Sequence, residues 1–175
     1  LWTSTAVAAH PRALGGSGGA VASAAADASE AGLEILASGG NAADAAVAVA
    51  LALAVVHPTA GNLGGGGFAV VRLGDEVRAL DFRETAPALA TPDMYLDEAG
   101  EPIPEASLVG PLAAGVPGSP AGLRELQRRY GSLEWCEVVA PAVRLAEEGF
   151  VVSPRLAASL DAHRELLARF PSTAA

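Results

Sequence analysis

The sequence contains no lysine; all 11 of its basic residues are arginine, set against 20 Asp and Glu, for a formal net charge of −9. That balance argues against nucleic acid as a partner, since binding a phosphate backbone requires a basic face. Cysteine is nearly absent. Cys136 stands alone, which excludes an internal disulfide and any Cys-rich metal site. Next to Trp135 it reads as a filler of the core, because a nucleophilic thiol would need a histidine partner. The three histidines, His10, His57 and His163, lack the i, i+4 spacing of a zinc site. Aromatic residues make up only 5% of a chain that is 51% hydrophobic. The apolar content is mostly alanine, which predicts helices packed closely through small side chains. The longest apolar run, Ala45 to Val56, is too short to span a bilayer and fits a buried helix. No charged segment followed by an apolar stretch marks a signal peptide at the start.

The 175 residues suffice for one core. Residues 1–19 read as a flexible segment, with Gly15-Gly16-Ser17-Gly18-Gly19 as a linker. A phosphate loop there would need a following lysine. Ala20 to Ser23 is expected to form a short strand. A helix should begin at Asp27, with Glu30 completing a capping-box pair, and end at Gly39-Gly40. Asn41 is a strong N-cap for a second helix to about Val56, with Asp44 in its first turn. His57, ahead of Pro58, leaves the helical region and serves as a structural cap.

Gly61 to Gly67 demands a tight backbone path that admits another segment or a ligand closely. Phe68 to Leu73 and Glu76 to Phe82 form a hairpin turning at Gly74-Asp75. Residues 84–116 are loop-rich. Ser119 is expected to cap a helix with Pro120 at its first position, ending at Tyr130-Gly131. Ser132 should cap another, broken or kinked at Pro141 and stopped at Gly149. A last helix should run from about Arg155 to Arg169. Helices, a hairpin, loops and helices make a mixed α and β chain, not an alternating parallel fold.

Arg83 is the residue with the clearest chemistry. It falls where the second strand should end, and a guanidinium matches a carboxylate with two parallel hydrogen bonds. The bland alternative is a surface arginine paired with Glu84 or Asp81.

Several motifs in register resemble the γ-glutamyltranspeptidase (γ-glutamyltransferase) family: Gly39-Gly40-Asn41-Ala42-Ala43-Asp44-Ala45-Ala46, His57-Pro58 through Gly64-Gly65-Gly66-Gly67-Phe68, and Asp81-Phe82-Arg83-Glu84-Thr85-Ala86-Pro87. Gly115-Val116-Pro117-Gly118-Ser119-Pro120-Ala121-Gly122-Leu123 and Pro141-Ala142-Val143-Arg144-Leu145-Ala146-Glu147-Glu148-Gly149-Phe150 continue the order. The resemblance covers about residues 20–160 and implies an α/β (α+β) chain that is part of a four-layer αββα N-terminal-nucleophile hydrolase sandwich. It implies that residues 20–175 are the first portion of a large subunit, cut from a precursor together with a small subunit. The small subunit's N-terminal Thr would attack a γ-glutamyl amide such as glutathione. Water or an acceptor amino acid or peptide would then resolve the ester.

No Thr here matches that nucleophile, so catalytic residues are expected outside this chain, which should be inert alone. By resemblance, Arg83 grips the substrate α-carboxylate, and Glu84 either orients Arg83 or is simply solvated. Gly64 to Gly67 are architectural. No cofactor, metal or membrane span is expected. The resemblance implies a periplasmic or secreted protein; the absent signal leaves a cytoplasmic one open. Two alternatives remain: a glutaryl-type amide acylase of the same fold, and a non-catalytic binding or structural fragment. A dinucleotide loop at Gly61 to Gly67 fails, because a helix precedes these glycines and a strand follows, and because residue 69 is alanine.

Overall fold

A computed structural model describes residues 18–174, and residues 1–17 of the expected flexible segment lie outside it. Two helices form an antiparallel pair, α1 (Ala26–Ala37) and α2 (Ala42–Val56). Their link is a short glycine turn. Gly39 takes a φ of +94°, its N–H donates to the Leu36 carbonyl, and that of Gly40 donates to the Ile35 carbonyl. This is the Schellman arrangement, and only glycine adopts that φ without strain. The pair packs through small residues. A Cβ on Gly32 would lie 2.6 Å from a Val49 methyl, so the alanine-rich composition sets how closely the helices approach.

Asn41 caps α2 as expected, its Oδ1 accepting from the N–H of Ala43 (2.8 Å) and of Asp44 (3.2 Å). Both residues also reach across the chain. Asn41 Nδ2 donates to the Tyr130 carbonyl, and Asp44 Oδ2 accepts from the Asn41 N–H, the Ser132 N–H and the Ser132 hydroxyl. Asp44 has no solvent exposure. Its second oxygen lies under Gly131 with no hydrogen-bond partner among the described residues. Ser132 therefore serves this clip rather than capping the following helix, as the sequence suggested.

The hairpin consists of β1 (Phe68–Leu73) and β2 (Glu76–Asp81), antiparallel, with Phe68 opposite Asp81 and Leu73 opposite Glu76. Gly74 turns it with a φ of +61°. A long irregular stretch leads to a 3-10 turn at Pro111–Ala113, then to α3 (Ser119–Tyr130) and α4 (Trp135–Glu148). The chain ends in α5 (Pro154–Ala162), α6 (Arg164–Leu167) and α7 (Pro171–Ala174). One apolar cluster joins Ile35, Ala45, Val47, Ala48, Leu123, Leu126 and Val138, with Ala69, Val71 and Leu80 of the hairpin packed on it. A second joins Ala28, Ala31, Ala52, Val56 and Ala142. No described helix is long and apolar enough to cross a membrane.

Several local expectations need correction. Ala20 to Ser23 is not a strand; no described segment pairs with it. The first helix is capped at Ala25 without a side-chain bond, and Asp27 sits inside the first turn, where the helix dipole favours it. Gly118, not Ser119, precedes α3. The fourth helix runs through the buried Pro141 unbroken. Its first turn is held by Glu137, whose carboxylate accepts the Glu134 N–H, and Val138 and Ala142 on either side of the proline are buried. These contacts outweigh one lost backbone bond. The expected single last helix stops at His163, which separates α5 from α6. Cys136 is exposed on α4, so it fills no core position; at its place in the helical period, Val138 and Ala142 take the inward face.

Candidate functional site

The residues around Arg83 lie where three segments of chain cross. The ladder of the hairpin extends one pair beyond β2, through mutual backbone bonds of Phe82 and Gly67 at 3.0 and 3.3 Å. The next residues bridge to the segment before α3, where Thr85 and Val116 exchange backbone bonds. That segment is tied in turn to the glycine run, as the N–H groups of Gly118 and Ser119 both donate to the Gly65 carbonyl, at 2.8 and 2.9 Å. Asn62 shapes the run by accepting the Gly65 N–H.

Phe82, Arg83 and Glu84 thus pass through a slot walled by glycine. A Cβ on Gly66 would overlap the Glu84 backbone nitrogen and lie 2.6 Å from the Arg83 Cα. One on Gly118 would overlap the Phe82 carbonyl oxygen, and one on Gly122 would overlap the Phe82 ring. Here the absence of a side chain is a spatial requirement, and the φ angles of Gly66, Gly118 and Gly122 are not in the left-handed region. The close approach expected of Gly61 to Gly67 is present, and the approaching element is the Phe82–Glu84 backbone.

Arg83 lies two residues past β2 and is exposed. Among the described residues its guanidinium has no ion pair or hydrogen-bond partner, so neither Glu84 nor Asp81 holds it as a surface pair would. Glu84 is also exposed, its side chain resting against Gly66 and Gly115. Sequence reasoning missed the contribution of Asp81, whose Oδ1 accepts the Arg83 N–H at 3.0 Å. An Asx turn of this kind is legible as an Asp two residues before the functional side chain.

The cleft beside this crossing, about 490 Å³, is lined by Asp81, Phe82, Gly118, Gly122, Glu125 and Arg129 among others, and not by Arg83. A cavity wall facing the guanidinium is therefore not supplied by the described residues. In the cleft, Glu125 receives hydrogen bonds from Arg128 and Arg129. These bonds, the Arg128 bond first, hold its carboxyl down at about 2. No group of three or more potential metal ligands occurs among the described residues.

The γ-glutamyltranspeptidase family profile matches residues 28–175. The chain is 52% identical over 143 residues to the glutathione hydrolase proenzyme of Escherichia coli (strain K12), an alignment covering 81% of this chain and 25% of that protein. It is 43% identical over 155 residues to the acylase ACY 1 proenzyme of Pseudomonas sp. (strain V22), covering 85% and 28%. The crystal structure of the Helicobacter pylori γ-glutamyltranspeptidase superposes with a TM-score of 0.88 at 47% identity, covering 92% of this chain and 46% of that one. The fold is thus that of the N-terminal-nucleophile hydrolases, to which the described residues contribute helices and one hairpin. Within that class, the chain belongs to the γ-glutamyltranspeptidase family. It spans about a quarter of the length of the curated relatives it matches.

Proposed function

We propose that this chain is the first part of the large subunit of an enzyme that hydrolyses or transfers the γ-glutamyl group of glutathione and related amides. Its role is to present Arg83 to the substrate α-carboxylate. The observation that carries this reading is a strand-end guanidinium with no partner among the described residues, on a backbone fixed from three sides. An arginine so placed keeps its fork for an external carboxylate. The nucleophile, an N-terminal Thr of the partner small subunit cut from the same precursor, lies outside these residues. It would form the γ-glutamyl ester, which water or an acceptor amino acid or peptide then takes up.

The test uses the full-length, processed enzyme with γ-glutamyl-p-nitroanilide and glycylglycine. Arg83→Lys should weaken transition-state binding by about 2–4 kcal/mol, a loss of roughly 30-fold to 1000-fold in kcat/KM, because a point charge does not replace a bidentate fork. Arg83→Ala should do at least as much harm. Unchanged kinetics for Arg83→Ala would remove the assignment.

The acylase reading draws on the relative named acylase ACY 1. It too requires a carboxylate grip, but with a glutaryl chain that lacks the α-amine. Faster turnover of glutaryl than of γ-glutamyl anilides by the same enzyme would favour it.

A further inference from the structure

We infer that Asp81 is a positioning residue for carboxylate recognition, acting through the backbone of Arg83. The inference rests on the reading of Arg83 as the carboxylate grip. Its basis is geometric. Two of the three constraints on Arg83 are purely steric, the glycine walls at Gly66 and Gly118, and they limit where the Cα can lie. Neither fixes the rotation of the peptide unit that carries the side chain. The Asp81 Oδ1 bond to the Arg83 N–H does so. It is a charge-assisted bond to a main-chain donor, stronger than a neutral one, and it closes a two-residue turn as the chain leaves the ladder at the Phe68–Asp81 pair.

Without it, the peptide before Arg83 can rotate within the slot, and a fork that must meet two oxygens at once loses its aim. Other acidic groups nearby are otherwise engaged or directed elsewhere. Glu125 is held by Arg128 and Arg129, and Glu84 lies against Gly66 and Gly115.

The test compares variants of the processed full-length enzyme on two substrates: γ-glutamyl-p-nitroanilide, and γ-aminobutyryl-p-nitroanilide, which lacks the α-carboxylate. Asp81→Ala should raise KM for the first about tenfold with kcat within about twofold, and leave the second unchanged. Asp81→Asn, which keeps an acceptor oxygen in the same place, should restore KM. Asp81→Glu, which keeps the charge but displaces the acceptor by one methylene, should behave like Asp81→Ala; it carries the test if the alanine variant fails to mature. Equal KM for Asp81→Glu and the parent enzyme, or equal losses on both substrates, would overturn the inference. Arg83→Ala is run alongside. If it raises KM while the Asp81 variants do not, the grip stands and the positioning role falls. If Arg83→Ala leaves KM unchanged, the grip itself falls.

Discussion

The α1–α2–α4 region and the β1–β2 hairpin treat their apolar side chains in opposite ways. In the helices, Val47 and Val138 have no solvent exposure, and the alanines between them interlock. In the hairpin, Phe68 is 66% and Val70 75% exposed, on one face of a ribbon whose other face, through Ala69, Val71 and Leu80, rests on the helices. Contiguous bare apolar surface is uncommon on an isolated protein, and a two-stranded ribbon is marginal in water. The contrast teaches where each region takes its order from. The helices are specified by contacts among the described residues. The hairpin is held at its ends, by the glycine crossing, while its outer face matches a surface that the rest of a longer protein would supply.

The largest test of this contrast falls on the helical side. Asp44→Ala in the full-length protein should cost about 3–5 kcal/mol of stability, read as a lowered denaturation midpoint, since it leaves the Asn41 and Ser132 donors buried without an acceptor. A loss under about 1 kcal/mol would mean that the clip is not what joins α2 to the α3–α4 turn. Val138→Ala should cost about 2 kcal/mol by opening a cavity between α2, α3 and α4. On the hairpin side, Val70→Thr separates the two cases. If the outer face is covered in the whole protein, a buried hydroxyl costs about 1 kcal/mol; a change within about 0.5 kcal/mol would place that face in solvent and erase the contrast.

The smallest effect is electrostatic. Glu125 is held at about 2, below its ordinary value of 4.5, so the unfolded chain binds the extra proton between those values. Its contribution is fully present above about pH 4.5 and is lost as the pH falls toward 2. Glu125→Gln should flatten the fall in Tm across that window slightly, and high salt should do the same. An acid limb identical in both proteins would remove the Arg128 and Arg129 bonds as its cause.

The two regions were also unequally legible in the sequence. The α1–α2 turn and its caps could be read directly, because Gly39, Asn41 and Asp44 act through local backbone rules. The hairpin could be read from alternation and from Gly74-Asp75. The reach of Asp44 and Asn41 to residues 130–132 could not, since nothing local distinguishes a capping carboxylate from one that also bonds far along the chain. Nor could the passage of Phe82–Glu84 between Gly66 and Gly118, which depends on where distant segments meet. Pro141 misled because propensity was read without the packing of its neighbours Val138 and Ala142. At the candidate site, Arg83 was readable from its chemistry, its position and its family motif. The Asp81 contribution was overlooked in favour of Glu84, the adjacent charge.

The Gly39 turn and the Asp44 clip close loops of very different size, and that difference sets a timetable. The turn joins helices only a few residues apart, whereas the Asp44–Ser132 bond joins positions 88 residues apart. The longer closure costs roughly 2–3 kcal/mol more chain entropy. During synthesis the α1–α2 pair is complete in sequence by Val56 and can zip at once, before the hairpin or α3 has been made. Asp44 then waits as a pre-placed carboxylate until Ser132 arrives, and the late arrival of the α3–α4 turn locks a helical pair already in place.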